Sequence, residues 1–155
     1  MDLKEIAGGL SAKFNIDGLT VEDDELALEI DGMPILIGEA EGDAIRMTGF
    51  VGEAPPEGGE AFANLLLEGT MTLMDAQSMA LARNPETGAY ALVQRLAKEF
   101  LTLDAFCEEL TAFVNGLETW RKMLEDFRPA AAAAKEASAA QQGTQELSLS
   151  GFMQV

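Results

Sequence analysis

The sequence predicts an α+β domain, an antiparallel sheet with flanking helices, in the order helix, three strands, helix, two strands, long helix. Three observations carry this. Apolar residues recur at helical spacing near the start of the chain. From Glu25 the period switches to two, and after Thr102 one apolar stripe persists for about seven turns. At 155 residues the chain is sized for one domain with a single core.

Leu3, Ile6, Ala7, Leu10 and Phe14 share one face of the first helix. Gly8-Gly9 lies inside it at a cost of about 1 kcal/mol per glycine relative to alanine. The pair reads as a weak terminal helix rather than a place of close backbone approach. Leu26, Leu28 and Ile30 then alternate with polar or small residues, and Asp31-Gly32 is a tight-hairpin signal. Met33 to Gly38 returns as a more continuous apolar strand, with Pro34 at its start. Gly42-Asp43 marks the next turn, and Ile45, Met47, Gly49 and Val51 form the third strand of a meander.

Pro55-Pro56 ends that segment. Phe62, Leu65, Leu66, Gly69, Leu73 and Met74 predict a second helix over Glu60 to Met74. Ser78 to Arg83 and Ala89 to Leu96 flank Asn84-Pro85-Glu86-Thr87-Gly88, whose proline and glycine suit a hairpin loop, and read as a separate two-stranded unit. In the last helix Leu103, Phe106, Cys107, Leu110, Phe113, Val114, Leu117, Trp120, Leu124 and Phe127 share a face. Thr102 is its N-cap and Pro129 its predicted stop. Cys107 lies on the stripe and reads as core packing rather than a reactive thiol.

Composition divides the chain into a domain at 1–128 and a low-complexity tail at 129–155. Ala130 to Gln142 has helix propensity but no apolar face to bury, so weak order is expected there. The alternation of Leu147, Leu149, Gly151, Met153 and Val155 reads as either a frayed end or a terminal strand.

Acids outnumber bases 27 to 10, a net charge of −17. Nucleic acid is excluded as a partner, since such binding draws on Lys and Arg to neutralise phosphates, and anionic membrane surfaces are disfavoured alike. No segment approaches the roughly 20 apolar residues of a membrane span. The start, Met1-Asp2-Leu3-Lys4-Glu5, lacks the pattern of a secretory signal, and Cys107 has no second cysteine to pair with. These features point to the cytoplasm.

Histidine is absent, which removes Ser-His and Cys-His nucleophile pairs and His-ligated zinc. Acids crowd residues 22–60, but neither Asp17-Gly18 nor Glu39-Ala40-Glu41-Gly42-Asp43 has the ligand spacing of an EF-hand loop. Gly58-Gly59 is not followed by the Gly-Lys-Ser/Thr of a phosphate loop. No catalytic residue, metal site or cofactor is expected. The eight methionines fit either of two roles, filling the core or making an adaptable apolar binding surface.

Three stretches carry a family resemblance. They are Phe62-Ala63-Asn64-Leu65-Leu66-Leu67-Glu68-Gly69, the segment Met79 to Leu92 around Pro85-Glu86-Thr87-Gly88, and Phe113-Val114-Asn115-Gly116-Leu117-Glu118-Thr119-Trp120-Arg121. With the order of elements, they make the chain resemble, over residues 1–127, the class I chaperones of bacterial type III secretion, the Tir chaperone family. The tail and the Met71 to Gln77 stretch depart from that pattern.

The resemblance implies a homodimer that binds the N-terminal segment of a secreted effector and keeps it extended for export, with the secretion ATPase as a further partner. Carried over by position, it implies effector contacts at Leu10, Phe14, Leu26, Leu28, Ile35, Ile37, Ile45 and Met47. It likewise implies a dimer interface at Phe62, Leu65, Leu66, Leu73, Met79 and Leu81. Two other readings stand beside it: the same fold as a regulatory or structural interaction module, and a small enzyme with a carboxylate site.

Overall fold

The computed structural model describes residues 1–153, with side chains in the long last helix described as far as Phe127 and at Ala137. Asp2 caps the first helix, α1 (Leu3–Phe14): its carboxylate accepts from the Glu5 amide and the Glu5 carboxylate accepts from the Asp2 amide, each at 2.8 Å. Leu3, Ile6, Ala7 and Leu10 are buried, whereas Phe14 at the helix end is 54 % exposed. At Gly9 the prediction is corrected, because a Cβ there would stand 2.7 Å from Leu103 Cδ1. Close approach to the start of the last helix, rather than weak helicity alone, accounts for that glycine.

The strands are β1 (Val21–Glu22), β2 (Glu25–Ile30), β3 (Met33–Ala40), β4 (Ala44–Gly52), β5 (Met79–Arg83) and β6 (Tyr90–Ala97). Asp31 and Gly32 both adopt positive φ (51° and 74°), the two-residue hairpin geometry that Asp-Gly favours. All six strands join one antiparallel sheet in the order β1-β2-β3-β4-β6-β5. The last hairpin is therefore not a separate unit. A two-stranded ribbon is marginal in water, and pairing β6 with β4 buries Tyr90 and Leu92 in the common core. The edge strand β1 has too few residues to show a period and was not legible in the sequence.

Helix α2 (Gly59–Gln77) and the last helix, α3 (Leu103–Met153), pack with α1 on one face of the sheet. Leu26, Ile35, Ile37, Ile45, Met47 and Leu92 point to that face and are fully buried with Phe62, Phe106 and Phe113. At Gly49 a Cβ would lie 2.6 Å from Leu117 Cδ2, so the glycine lets α3 approach β4. At Gly69 a Cβ would lie 2.2 Å from Trp120 Cζ2, so the tryptophan ring occupies the space a side chain of α2 would need. Thr70 Oγ accepts from the Leu81 amide at 3.0 Å and ties α2 to β5.

The helix does not stop at Pro129. The apolar stripe ends at Phe127, but alanine, lysine, glutamate and glutamine, residues of high helix propensity, carry the helix through Gln142, and it runs on to Met153. The strand considered over 147–155 is thus replaced by helix as far as Met153. Gln154 and Val155, its last two residues, lie outside the described residues.

Candidate functional site

A groove of about 660 Å³ opens between the end of α1, β2 and the first turns of α3. Leu10, Phe14, Ile16 and Leu19 form one wall, Leu28 and Ile30 the floor, and Cys107, Leu110 and Val114 the far wall. Its apolar lining is partly open to solvent, with Phe14 54 % and Ile16 41 % exposed. Glu29, Asp31, Thr111 and Asn115 make a polar rim.

The chain shapes this groove by stopping two elements early. Asn15 takes the left-handed conformation at the end of α1 (φ 54°) and turns the chain away, leaving Phe14 and Ile16 beside β2 rather than against the core. Strand β1 covers only Glu25 and Leu26 of its neighbour. Beyond that point, from Ala27 to Ile30, no strand among the described residues lies beside the outer edge of β2. An apolar groove thus runs along an unpaired strand edge.

One ion pair spans the groove's two helical walls: Lys13 Nζ lies 2.6 Å from an Asp104 carboxylate oxygen. That hydrogen bond raises the Lys13 ammonium above its ordinary range and lowers the Asp104 carboxyl below its own. A lysine with a raised folded-state pKa contributes stability fully present below its unfolded value, and that contribution is lost as pH rises through the folded value. A carboxyl with a lowered one contributes above its unfolded value and loses the contribution as pH falls through the folded value. Asp104→Asn is therefore expected to lower the melting temperature slightly at neutral pH and not at either extreme. Melting curves of the two proteins across pH check this; a difference that persists in strong acid contradicts it. The effect is small because both groups are solvated.

Of the residues carried over to effector contact, Leu10, Phe14 and Leu28 line the groove. Leu26, Ile35, Ile37, Ile45 and Met47 do not: each is 0 % exposed. They occupy the inward positions of a sheet already covered by helices, so period two marks them as core and leaves no side chain to offer a partner. Sequence reasoning missed Ile16, Leu19, Ile30, Leu110 and Val114 as groove residues. The available signal was the width of the α3 stripe, since Cys107 and Val114 extend it beyond the line of Phe106, Leu110, Phe113 and Leu117. Cys107 is half-buried in the groove wall as well as packed on the core.

The proposed interface residues divide in the same way. Phe62, Leu66 and Met79 are buried in the core, with Phe62 stacked at a tilt on Tyr90 and Phe127 at centroid distances of 5.4 and 5.1 Å. Leu65, Leu73 and Leu81 are partly buried against that core. The solvent-facing apolar residues of α2 are instead Leu67, Met71 and Met74, at 68, 69 and 52 % exposure. Met33, Met47 and Met79 fill the core, while Met71 and Met74 stand on the surface.

Among the described residues no three His, Cys, Asp or Glu side chains gather where a metal ion would sit, and no helix is long and apolar enough to cross a membrane.

Solved structures share this fold. A chain of the HopA1–SchA chaperone–effector complex matches with a TM-score of 0.67 at 16% identity, over 77% of this chain and 92% of that one. A chain of the ExsC–ExsE complex matches with a TM-score of 0.69 at 17% identity, over 80% and 97%. A chain of the ExoT–SpcS complex from Pseudomonas aeruginosa matches with a TM-score of 0.57 at 21% identity, over 77% and 98%. At these identities the likeness is one of fold. No curated protein sequence matches. The model of the Tir chaperone protein (CesT) family matches residues 5–121, spanning α1 through the Trp120-Arg121 turn of α3, and the chain belongs to that family.

Proposed function

We propose that this protein is a cytoplasmic chaperone of a type III secretion system, which binds the N-terminal segment of an effector in extended form and catalyses no reaction. The observation that carries this reading is the unpaired edge of β2 from Ala27 to Ile30 beside the apolar groove. An extended segment laid along that edge gains main-chain hydrogen bonds, while its alternate side chains enter the groove. The family match and the chaperone–effector complexes with the same fold support it. Residues 1–128 suffice for this binding in our reading, and Leu10, Phe14 and Leu28 are its effector contacts.

The protein acts as a homodimer, with Leu67, Met71 and Met74 of α2 facing the second copy beside the half-buried Leu65, Leu73 and Leu81. Three exposed apolar side chains at helical spacing form a stripe that water disfavours and a symmetric partner would cover.

Affinity capture of the tagged chain, followed by mass spectrometry and light scattering, tests both parts. The expected result is a dimeric mass, lost in Met71→Glu, and a secreted protein held through its N-terminal region. A strict monomer that captures no secreted protein sinks the reading.

A further inference from the structure

Among the described residues, the three helices all lie on one face of the sheet, and no layer covers the opposite face. Its centre carries Leu36 and Phe50, each 43 % exposed, around the half-buried Thr48, Ala91 and Val93. At one end of this apolar track stand two arginines. Arg46 of β4 and Arg95 of β6 are direct cross-strand partners in the ladder, both exposed.

This pairing is costly by itself. Like charges directly opposite one another in a sheet destabilise it, and the chain has 27 acids from which to place a counter-ion. Among the described residues, no acid makes an ion pair with either arginine. Arg95 donates one hydrogen bond to the Glu41 carbonyl, and Arg46 makes no ion pair or hydrogen bond among the described residues. Glu25 leans over Gly38, the residue that faces Arg46 from β3, without reaching the guanidinium. In a protein of net charge −17, two exposed arginines on directly paired strand positions, beside exposed apolar side chains, form a local site for carboxylates.

A strand cannot pair with the face of a sheet, because main-chain hydrogen bonds run in the sheet plane. A helix can, since its own backbone is already satisfied and an apolar stripe fits over the track. Resting on the reading that this chain holds segments of a partner protein, we infer that the open face docks an amphipathic helix of that partner. The helix covers Leu36 and Phe50 with its apolar stripe and sets carboxylates between Arg46 and Arg95. Phe50 stands four positions along the strand from Arg46, about 13 Å, so carboxylates and apolar anchor stand about nine residues apart on the helix.

Synthetic Ala-rich helical peptides with a Leu-Leu anchor, and a Glu-Glu, Gln-Gln or Lys-Lys pair about nine positions away, test this by fluorescence anisotropy at low salt. The full-length chain is expected to bind the Glu peptide about tenfold more tightly than the Gln peptide, against its own overall charge. Arg46→Gln/Arg95→Gln removes the preference, and Arg46→Glu/Arg95→Glu transfers it to the Lys peptide. Both arginines are exposed, so the variants keep the fold, which circular dichroism checks. Equal binding of the Glu and Gln peptides, binding of neither, or a preference that survives the glutamine variants overturns the inference. These readouts are independent of cargo capture by the groove. A chaperone that captures its effector but shows no Glu preference loses this inference alone, and a Glu preference without effector capture removes the secretion reading alone.

Discussion

Phe14→Glu together with Ile16→Glu is expected to weaken capture of the effector segment about a hundredfold, roughly 3 kcal/mol, the range of a central hot spot. The two side chains are among the most exposed apolar groups of the groove, at 54 and 41 %. A bound apolar segment covers them, and a carboxylate in the same place must be desolvated without a partner. The fold should not notice. Neither residue belongs to the buried core, and exposed substitutions away from special features usually stay within about 0.5 kcal/mol. Titration of the recovered effector segment against both proteins, with melting curves in parallel, decides the matter. Unchanged affinity in a folded variant would remove the groove from the binding site, and a collapse in melting temperature would mean that the two residues hold α1 in place.

The contact between α2 and α3 gives the second large effect. Trp120, 7 % exposed, lies where Gly69 has no side chain. Trp120→Ala should cost about 3–5 kcal/mol, as other buried aromatic truncations do. In a chain this size that corresponds to a melting temperature lower by about 10 °C or more.

The sharper test is the sign of Gly69→Ala in two backgrounds. In the native chain the added methyl meets the indole at 2.2 Å, and the overpacking penalty of about 1–3 kcal/mol equals or exceeds the helix-propensity gain of about 1 kcal/mol. Once Trp120 is alanine the obstacle is gone, and the same substitution should stabilise by about 1 kcal/mol. Urea denaturation of the four proteins of this cycle measures the coupling. Additive effects would show that the indole and the glycine are not in contact in solution.

Much of the architecture was legible in local pattern. Period two over Glu25 to Ile30 and period 3.6 over Leu103 to Phe127 each reflect one face turned to a core, which a chain must encode residue by residue. Asp31-Gly32 was legible for a different reason, since the two-residue hairpin needs positive φ at both positions. The helix beyond Pro129 was misread because the stripe ended there. A stripe reports burial, whereas continuation of the backbone helix rests on the propensity of the alanine-rich residues that follow.

The site was less legible than the fold. Leu26, Ile35, Ile37, Ile45 and Met47 are the same kind of residue as Leu28, Phe14 and Val114, and no local pattern separates a side chain that fills a core from one that floors a groove. The difference arises where neighbouring elements end: α1 turns away at Asn15, and β1 leaves the edge of β2 bare after Leu26. Arg46 and Arg95 meet only through register, since they stand far apart in sequence.

The sequence by itself determined an acidic α+β chain without histidine and the chaperone family it resembles, because composition, period and short motifs are properties of neighbours along the chain. Only the tertiary structure decided that the last hairpin joins the first three strands, which apolar residues stay exposed, and which face carries paired arginines. Those are properties of neighbours in space, fixed by strand register and by where each helix stops.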